Sequence, residues 1–297
     1  ELMSRKKNPF FRHATMQQFL AWRGGRPVGR IAGIDDDRHN EIHGDNLAFF
    51  GFFEAEDEAV AGALYATVEQ WARDRGRSSI RGPINPSMND SVGFQLDAYD
   101  SVPYLMMPWS PPRYIEWASS AGYDKARDLY CWYFDAEKGL SDRAEKILAR
   151  QRKRLDVTPV VRPMRKEAFE QDMETVRSIF AQAWSENWGF VPPTPEEFRH
   201  VAREMKQIIV WDWALVMEID GKPAGFSVTL PDLNQVLRHI NGRLLPFGIF
   251  KLLNRRRYID RGRLLLLGVL PEFRNKGLEL ILIDRSVAYA RENGYVG

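Results

Sequence analysis

A chain of 297 residues is long enough for two domains of about 150 residues each. Its 42 Lys and Arg nearly balance its 40 Asp and Glu, which argues against a general nucleic-acid binder, because such proteins carry a strong basic excess. The single cysteine excludes an intrachain disulfide and a cysteine-rich metal site, so we expect a reducing, cytoplasmic setting.

The first half of the chain opens with a hairpin pattern. Two short apolar runs, residues 19–22 and 30–34, flank the sequence GRPVG at positions 25–29. A helix is then predicted over residues 59–75. Its apolar residues recur at the spacing of one buried face, namely Val60, Ala63, Leu64, Val68 and Trp71.

Aromatic and polar stretches follow this helix. A helix over residues 111–121 is predicted to end at Gly122, and residues 129–134 form a predicted aromatic strand. Cys131 lies in that strand, where apolar surroundings disfavour a thiolate, so we expect no nucleophilic role. His39 and His43 lie in a predicted polar loop and do not form a ligand set, so no metal is expected.

The second half alternates strands and helices. Strands are predicted over residues 157–162, 211–219, 224–230 and 264–270. Helices are predicted over residues 167–184, 196–205, 244–253 and 277–293. This mix predicts an α/β fold (α+β, mixed sheet), with a first domain over residues 1–137, a linker helix over 138–156 and a second domain over 157–297.

One construction occurs twice in the chain. Residues 51–76 and 269–294 each give an apolar strand, a polar loop and a helix, and a GRPVG-like hairpin precedes each copy, the second being GKPAG at 221–225. The first loop is acidic, with Glu56, Asp57 and Glu58. We expect that an anionic ligand binds the second loop, which is basic, and is repelled by the first.

The second loop has the features of a phosphate site. A buried strand ends at Pro271, and the next helix begins at Gly277, so free N–H groups and the positive end of the helix dipole face the turn. Gly277 allows close backbone approach, and Arg274 and Lys276 add charged donors.

Residues 269–279, VLPEFRNKGLE, resemble motif A of the GNAT acyltransferase superfamily. The resemblance covers residues 157–297 and implies a GNAT fold that uses acetyl-CoA as acyl donor. It implies that one strand's backbone pairs with the pantetheine arm, through Leu267, Gly268, Val269 and Leu270. It implies that the loop holds the pyrophosphate, through Arg274, Asn275, Lys276, Gly277 and Leu278.

The chain departs from the family pattern in three ways, the first being Asn275 in place of a frequent Gly. Glu279 stands where the family usually has Gly or Ala, and the elements that normally follow the last helix are absent, so we expect a C-terminal part to be missing. The first domain resembles the same fold with its loop lost. Together the two domains are similar to uncharacterised bacterial tandem GNAT-like proteins.

The resemblance implies direct attack of a primary amine on a thioester, without a metal. Asp260, near the start of the strand, and Glu186 are candidate catalytic residues, and the N–H of Val269 or Leu270 is a candidate oxyanion donor. Trp184, Asn187 and Trp188 are candidate acceptor-site residues. The structural alternatives are a turn residue for Asp260 and a helix-end packing cluster for residues 184–190.

Three functions remain open from the sequence. The first is an acetyl-CoA-dependent N-acetyltransferase acting on a small-molecule or peptide amine, with no nucleic-acid or membrane partner. The second is a transferase that takes aminoacyl-tRNA as donor, against which the balanced charge counts. The third is a non-catalytic binding module. The sequence does not indicate the acceptor, the acyl length or the oligomeric state.

Overall fold

The computed structural model describes residues 2–154 and 158–297. Packing divides the chain into two units, the first comprising Glu1–Tyr130 and Asn187–Pro193 and the second Cys131–Glu186 and Thr194–Gly297. The division falls at Tyr130, and the domain boundaries predicted at residues 137 and 157 stay predictions. Within the described ranges, no helix combines the length and the apolar character that crossing a bilayer requires.

The first unit is built around one four-stranded sheet. Its elements are β1 (Ala14–Arg23), β2 (Arg26–Asp36), α1 (Asp37–His43), β3 (Leu47–Ala55), α2 (Glu58–Asp74), β4 (Ser79–Arg81), β5 (Ile84–Asn85), β6 (Ser91–Val92) and α3 (Arg113–Ser120). The strand order is β1-β2-β3-β4, antiparallel except that β4 runs parallel to β3. Helix α2 makes the crossover between these two parallel strands.

Helix α2 packs one apolar face on this sheet. Val60, Leu64 and Val68 are buried as predicted, whereas Ala63 is exposed and Ala61 is buried instead. Against them lie aromatic side chains of β3 and α3, and the Phe53 ring stacks on Tyr65 with centroids 4.8 Å apart. These contacts join the helix, the sheet and α3 into one core.

The segment that holds His39 and His43 is a helix and not the predicted polar loop. Asp36 caps it, because its carboxylate accepts hydrogen bonds from the N–H groups of Arg38 and His39. Gly44 ends α1 in the left-handed conformation, with φ of 64°. The sequence prediction missed this short helix because it took the acidic residues for a loop.

The second unit is an antiparallel sheet covered by helices. Its elements are α4 (Asp142–Arg154), β7 (Val160–Pro163), α5 (Phe169–Ala183), α6 (Pro195–Met205), β8 (Ala214–Ile219), β9 (Lys222–Pro231), α7 (Asn234–Leu237), α8 (Gly248–Leu253), β10 (Gly262–Val269) and α9 (Leu278–Glu292). The strand order is β10-β9-β8-β7. The mixed α/β fold class predicted from the sequence is confirmed in both units.

Helix α9 packs on the middle of the second sheet. Its Leu278 and Leu282 are fully buried against Leu215 and Met217 of β8 and Ala224 of β9. Burial of two leucines stabilises this contact by about 3–6 kcal/mol relative to their exposure. This packing fixes the position of the α9 N-terminus at the end of β10.

The two units share one order of elements. In each, a hairpin is followed by a third antiparallel strand, a short loop and a helix: β1-β2-β3-α2 in the first and β8-β9-β10-α9 in the second. Both hairpin turns use glycine at positive φ, which is 79° at Gly25 and 71° at Gly221. The second unit alone places α7, α8 and a loop between its second and third strands.

Two sequence predictions differ from the structure. Residues 129–134 form no strand, and Tyr130 and Trp132 are 76% and 89% exposed. Cys131 is therefore exposed and does not lie in an apolar strand. The connecting helix is described as Asp142–Arg154, and its predicted end at residue 156 and the predicted strand start at residue 157 lie outside the described residues.

Candidate functional site

The loop between β10 and α9 is a tight turn with two residues in the left-handed region. Asn275 has φ of 60° and Gly277 has φ of 66°. Gly277 caps α9 without any side-chain hydrogen bond to the first-turn amides. In the described part of the chain, the N–H groups of Asn275, Lys276 and Gly277 donate to no backbone acceptor. The turn therefore offers free amides at the positive end of a helix dipole.

The equivalent helix start in the first unit is closed to anions. The Asp57 carboxylate caps α2 by accepting from Val60 N–H at 3.0 Å, and it also pairs with Arg23 at 2.6 Å. Glu56 pairs with Arg26. A phosphate at this helix start would have to displace a carboxylate that already uses the free amide.

Arg274 and Glu186 are brought together, although neither is free. The Arg274 guanidinium donates to the Glu186 carboxylate at 3.1 Å and to the Ala183 carbonyl. Arg274 thereby caps the C-terminus of α5, where a cation is favourable. The positive charge of Arg274 is therefore partly compensated within the second unit. The side chain of its partner, Glu186, is 83% exposed.

The remaining loop residues differ in their surroundings. The Lys276 ammonium lies 5.3 Å from the centroid of the Phe273 ring. Leu278 is fully buried, so only its backbone is available to a ligand. Glu279 lies in the first turn of α9, where its carboxylate uses part of the favourable dipole field.

Helix α4 borders the turn on one side. A Cβ added to Gly277 would lie 2.9 Å from the Gln151 Cγ atom and 3.5 Å from the Ile147 Cγ2 atom. Glycine is therefore required at position 277 both by its φ and by the closeness of α4. Gln151 is a polar neighbour of the turn that the sequence prediction did not identify, because it is more than a hundred positions away along the chain.

Strand β10 is an edge strand with an irregular register. Leu264 pairs with Thr229 and Leu266 with Val228, so Leu265 has no partner in the ladder with β9. Such a bulge leaves an unpaired residue and bends the strand. Among the described strands, none pairs with the outer edge of β10, although Gly262 N–H donates to the Gly297 carbonyl at 2.8 Å. An extended ligand can add to an edge of this kind.

Two backbone groups of the predicted pantetheine strand are already used. The Leu270 N–H donates to the Ala224 carbonyl at 2.9 Å, so it is paired within the sheet, and the oxyanion role of Val269 or Leu270 stays a prediction. The Leu267 carbonyl accepts from Trp184 Nε1 at 3.0 Å. The binding roles of Leu267, Gly268, Val269 and Leu270 stay predictions.

The predicted acceptor residues belong to different units. Trp184 packs on Phe180 of α5, with ring centroids 4.9 Å apart, and lies in the second unit. Asn187 and Trp188 lie in the first unit, where the Arg81 guanidinium sits 5.1 Å from the centroid of the Trp188 ring. Their acceptor role stays a prediction.

Asp260 lies two residues before β10, as the candidate base requires. Its carboxylate accepts from Gln235 Nε2 at 2.6 Å, and its N–H donates to Gln235 Oε1 at 2.9 Å. The side chain is 56% exposed, so it is open to solvent. Its catalytic role also stays a prediction.

A charged pair near the start of β10 was missed by the sequence prediction. Burial lowers the pKa of the Arg263 guanidinium, and the nearby Cys131 and Asp232 oppose that shift. Asp232 is 3% exposed and directly follows β9. The sequence signal that could have indicated it is the position of Arg263, directly before the four leucines that begin the predicted buried strand.

Comparison with known proteins gives two sequence relatives. The bacterial ceramide synthase of Caulobacter vibrioides (strain NA1000 / CB15N) is 37% identical over 303 residues, covering 99% of this chain and 78% of the relative. Protein YghO of Escherichia coli (strain K12) is 33% identical over 271 residues, covering 90% and 68%. No family model matches the chain.

Solved structures show a weaker likeness. A tandem GNAT protein from the clavulanic acid biosynthesis pathway superposes with a TM-score of 0.48 at 13% identity, over 97% of this chain and 73% of that one. FemX gives a TM-score of 0.34 at 11% identity, over 98% and 79%.

Proposed function

The chain belongs to the family of the bacterial ceramide synthase, and from that premise we propose that it is an acyl-CoA-dependent N-acyltransferase for a long-chain amino alcohol. A ceramide is the amide of a fatty acid and such an amino alcohol. Its synthesis must therefore bring an activated acyl group to a primary amine. The observation that carries the proposal is the uncapped turn at Gly277, which offers free amides to the diphosphate of a CoA thioester.

The proposed reaction needs no group beyond those of the chain and its two substrates. The amine nitrogen attacks the thioester carbonyl, the carbon–nitrogen bond forms, and the carbon–sulfur bond breaks to release the CoA thiolate. The amine proton passes to a base, for which Asp260 is the candidate, and the thiolate takes up a proton. The turn amides with Lys276 hold the diphosphate and so position the thioester along β10.

This proposal replaces the expected acetyl donor with a fatty acyl donor. The four consecutive leucines of β10, Leu264 to Leu267, are only half-buried or exposed, although strand leucines are usually buried. They lie on the edge strand beside the proposed pantetheine path. A long acyl chain would cover this apolar surface, whereas an acetyl group would leave it open to water.

A non-catalytic module of the same fold is the second candidate. Arg274 already donates to the Glu186 carboxylate and the Ala183 carbonyl, and Glu279 adds a carboxylate near the turn. Both features weaken the attraction of the loop for a diphosphate. A module of this kind would form no amide from any donor.

Mass spectrometry of the amide product tests the proposal. With palmitoyl-CoA and sphinganine as substrates, we expect the N-acyl product, and a far lower rate with acetyl-CoA. Lys276→Glu places a carboxylate in the turn and should lower kcat/KM for the acyl donor by about tenfold or more. Lys222→Glu, at an exposed lysine in the β8–β9 hairpin, is the matched control and should retain the rate. A folded protein that forms no amide from either donor would favour the non-catalytic module.

A further inference from the structure

The segment between β9 and β10 carries five large apolar side chains on its surface. Their exposed fractions are 47% for Leu244, 75% for Leu245, 74% for Phe247, 60% for Phe250 and 73% for Leu253. All five fall within ten consecutive residues, in and just before α8. We call residues 233–259 the β9–β10 insertion. Large apolar side chains that are exposed together in one short segment indicate an interaction site.

The insertion is folded, so the exposure is not that of an unstructured loop. Val236 and Ile240 are buried, and Lys251 Nζ donates to the His239 carbonyl at 2.7 Å. A Cβ added to Gly248 would lie 2.3 Å from the Arg243 carbonyl oxygen, which shows how tightly the segment closes on itself. Some apolar side chains of the insertion are therefore buried in its own small core, whereas the five named above are exposed to solvent.

The charge of the insertion is strongly positive. Residues 233–259 contain six Lys and Arg, namely Arg238, Arg243, Lys251, Arg255, Arg256 and Arg257, and no Asp or Glu, while Asp232 and Asp260 flank them. The whole chain has a net charge of +2, so the remaining residues carry a net charge of −4. Among the described residues, none of these six cations forms an ion pair with a carboxylate. The positive charge is concentrated beside the exposed leucines and phenylalanines.

We propose that the β9–β10 insertion docks on the surface of a bilayer that contains anionic lipids. Basic residues attract the anionic headgroups, and exposed Leu and Phe side chains enter the boundary between headgroups and acyl chains. A nucleic acid would match the charge but would leave the five apolar side chains in water. The proposal departs from the sequence-based expectation of no membrane partner.

The docking surface is directly joined to the candidate site. The insertion ends at residue 259, three positions before Gly262, where β10 begins, and β10 leads to the turn at Gly277. If the proposed acyl transfer holds, lipid-like substrates would reach the leucine-rich strand from the membrane side. The docking itself does not rest on the proposed acyl transfer.

Co-sedimentation with lipid vesicles tests the docking without any acyl donor or amine present. We expect wild-type protein to partition at least about tenfold more strongly into vesicles with a quarter phosphatidylglycerol than into pure phosphatidylcholine vesicles, and salt at about 0.5 M to weaken the binding. F247S/F250S and R256Q/R257Q should each reduce the binding by about tenfold or more. The matched controls are L20S/L96S and R150Q/K166Q, which remove exposed apolar or basic residues elsewhere and should bind like wild type.

A second measurement tests the docking in case the multiple-substitution variants do not fold. An environment-sensitive dye on L253C, in a C131S background, should shift to a blue emission on anionic vesicles. Absence of vesicle binding by the wild type, or of the dye shift, would overturn the proposal. Equal binding by wild type and F247S/F250S would also overturn it, because charge alone would then account for the contact. Because no substrate is present, none of these outcomes bears on amide formation.

Discussion

At the residue scale, the N-cap residue distinguishes the two repeated helix starts. Asp57 caps α2 with its own carboxylate, whereas Gly277 begins α9 with no side-chain cap. The sequence allowed this contrast to be predicted, because an acidic loop and a basic loop occupy matching positions. It did not allow the Arg274 contacts to be predicted, because Glu186 and Ala183 are 88 and 91 residues away along the chain.

Asp172 is a buried carboxylate that joins β7 to α5. It is fully buried and accepts from Arg162 at 2.9 Å and from Arg165 at 2.7 Å. Burial opposes its charge, but the hydrogen bonds from Arg165 and Arg162 outweigh this effect and hold its pKa well below the usual range. We therefore expect Asp172 and its two arginine partners to stabilise the fold.

Asp172→Asn should lower the free energy of unfolding by about 2–4 kcal/mol, because it removes the buried carboxylate that pairs with both arginines, and among the described residues only Arg162 keeps a second carboxylate partner, Glu218. Urea unfolding measures the effect. Glu174→Gln removes an exposed pair with Arg177 on the same helix and should cost less than about 1 kcal/mol. Equal losses in the two variants would contradict the structural role of Asp172.

His39 gives the first unit a pH dependence. Burial, followed by the charge of His43, lowers the pKa of His39. The unfolded chain therefore takes up this proton at a higher pH than the native chain does, and stability is lost as the pH falls below the ordinary histidine value. The slope for one proton is at most about 1.4 kcal/mol per pH unit.

Urea unfolding between about pH 7.5 and pH 5.5 checks this prediction. We expect His39→Gln to flatten the fall in stability, whereas His200→Gln, on the helix α6 surface, should leave it unchanged. A His39→Gln variant with the wild-type slope would show that another group titrates.

At the element scale, periodic patterns predicted helices well and aromatic composition predicted a strand badly. The apolar face of α2 follows the predicted spacing at Val60, Leu64 and Val68. Residues 129–134 have the aromatic composition typical of a strand. A strand also needs a neighbouring strand to pair with, which a single sequence does not reveal. The bounds of α5, α6 and α9 lie within one or two residues of those predicted.

Two glycines near the contact between α2 and β2 should respond in opposite ways to alanine. A Cβ at Gly33 would lie 2.4 Å from the Trp71 ring, so Gly33→Ala should destabilise the first unit by about 1–3 kcal/mol. Gly62 lies in α2 with open space around it, so Gly62→Ala should stabilise by about 0.5–1 kcal/mol. Urea unfolding of both variants should give opposite signs, and a shared sign would contradict the packing of Trp71 on β2.

At the scale of the whole molecule, the chain repeats one order of elements, and of the two repeated helices α2 begins with a side-chain cap and α9 without one. This order was predictable because each hairpin and each strand–loop–helix pattern is local. The division of residues 184–193 between the units was not predictable, because it depends on distant contacts. Asn89 Nδ2 donates to the Val191 carbonyl across 102 positions, and His43 Nε2 donates to the Phe190 carbonyl across 147.

The β9–β10 insertion was also only partly predictable. The sequence predicted an amphipathic helix over residues 244–253, whereas α8 is limited to Gly248–Leu253. The outward position of Leu245 and Phe247 depends on how the segment closes over Gly248, which no local pattern specifies.

Isothermal titration of CoA and palmitoyl-CoA into wild type, Gly277→Glu and Gly221→Glu tests the central claim most directly. Both glycines have positive φ, so both substitutions strain the backbone, but only position 277 borders the turn with free amides. We predict saturable binding by wild type and by Gly221→Glu, and none by Gly277→Glu. Undiminished affinity in a folded Gly277→Glu protein, or no binding by wild type, would contradict the assignment of this turn as the diphosphate site.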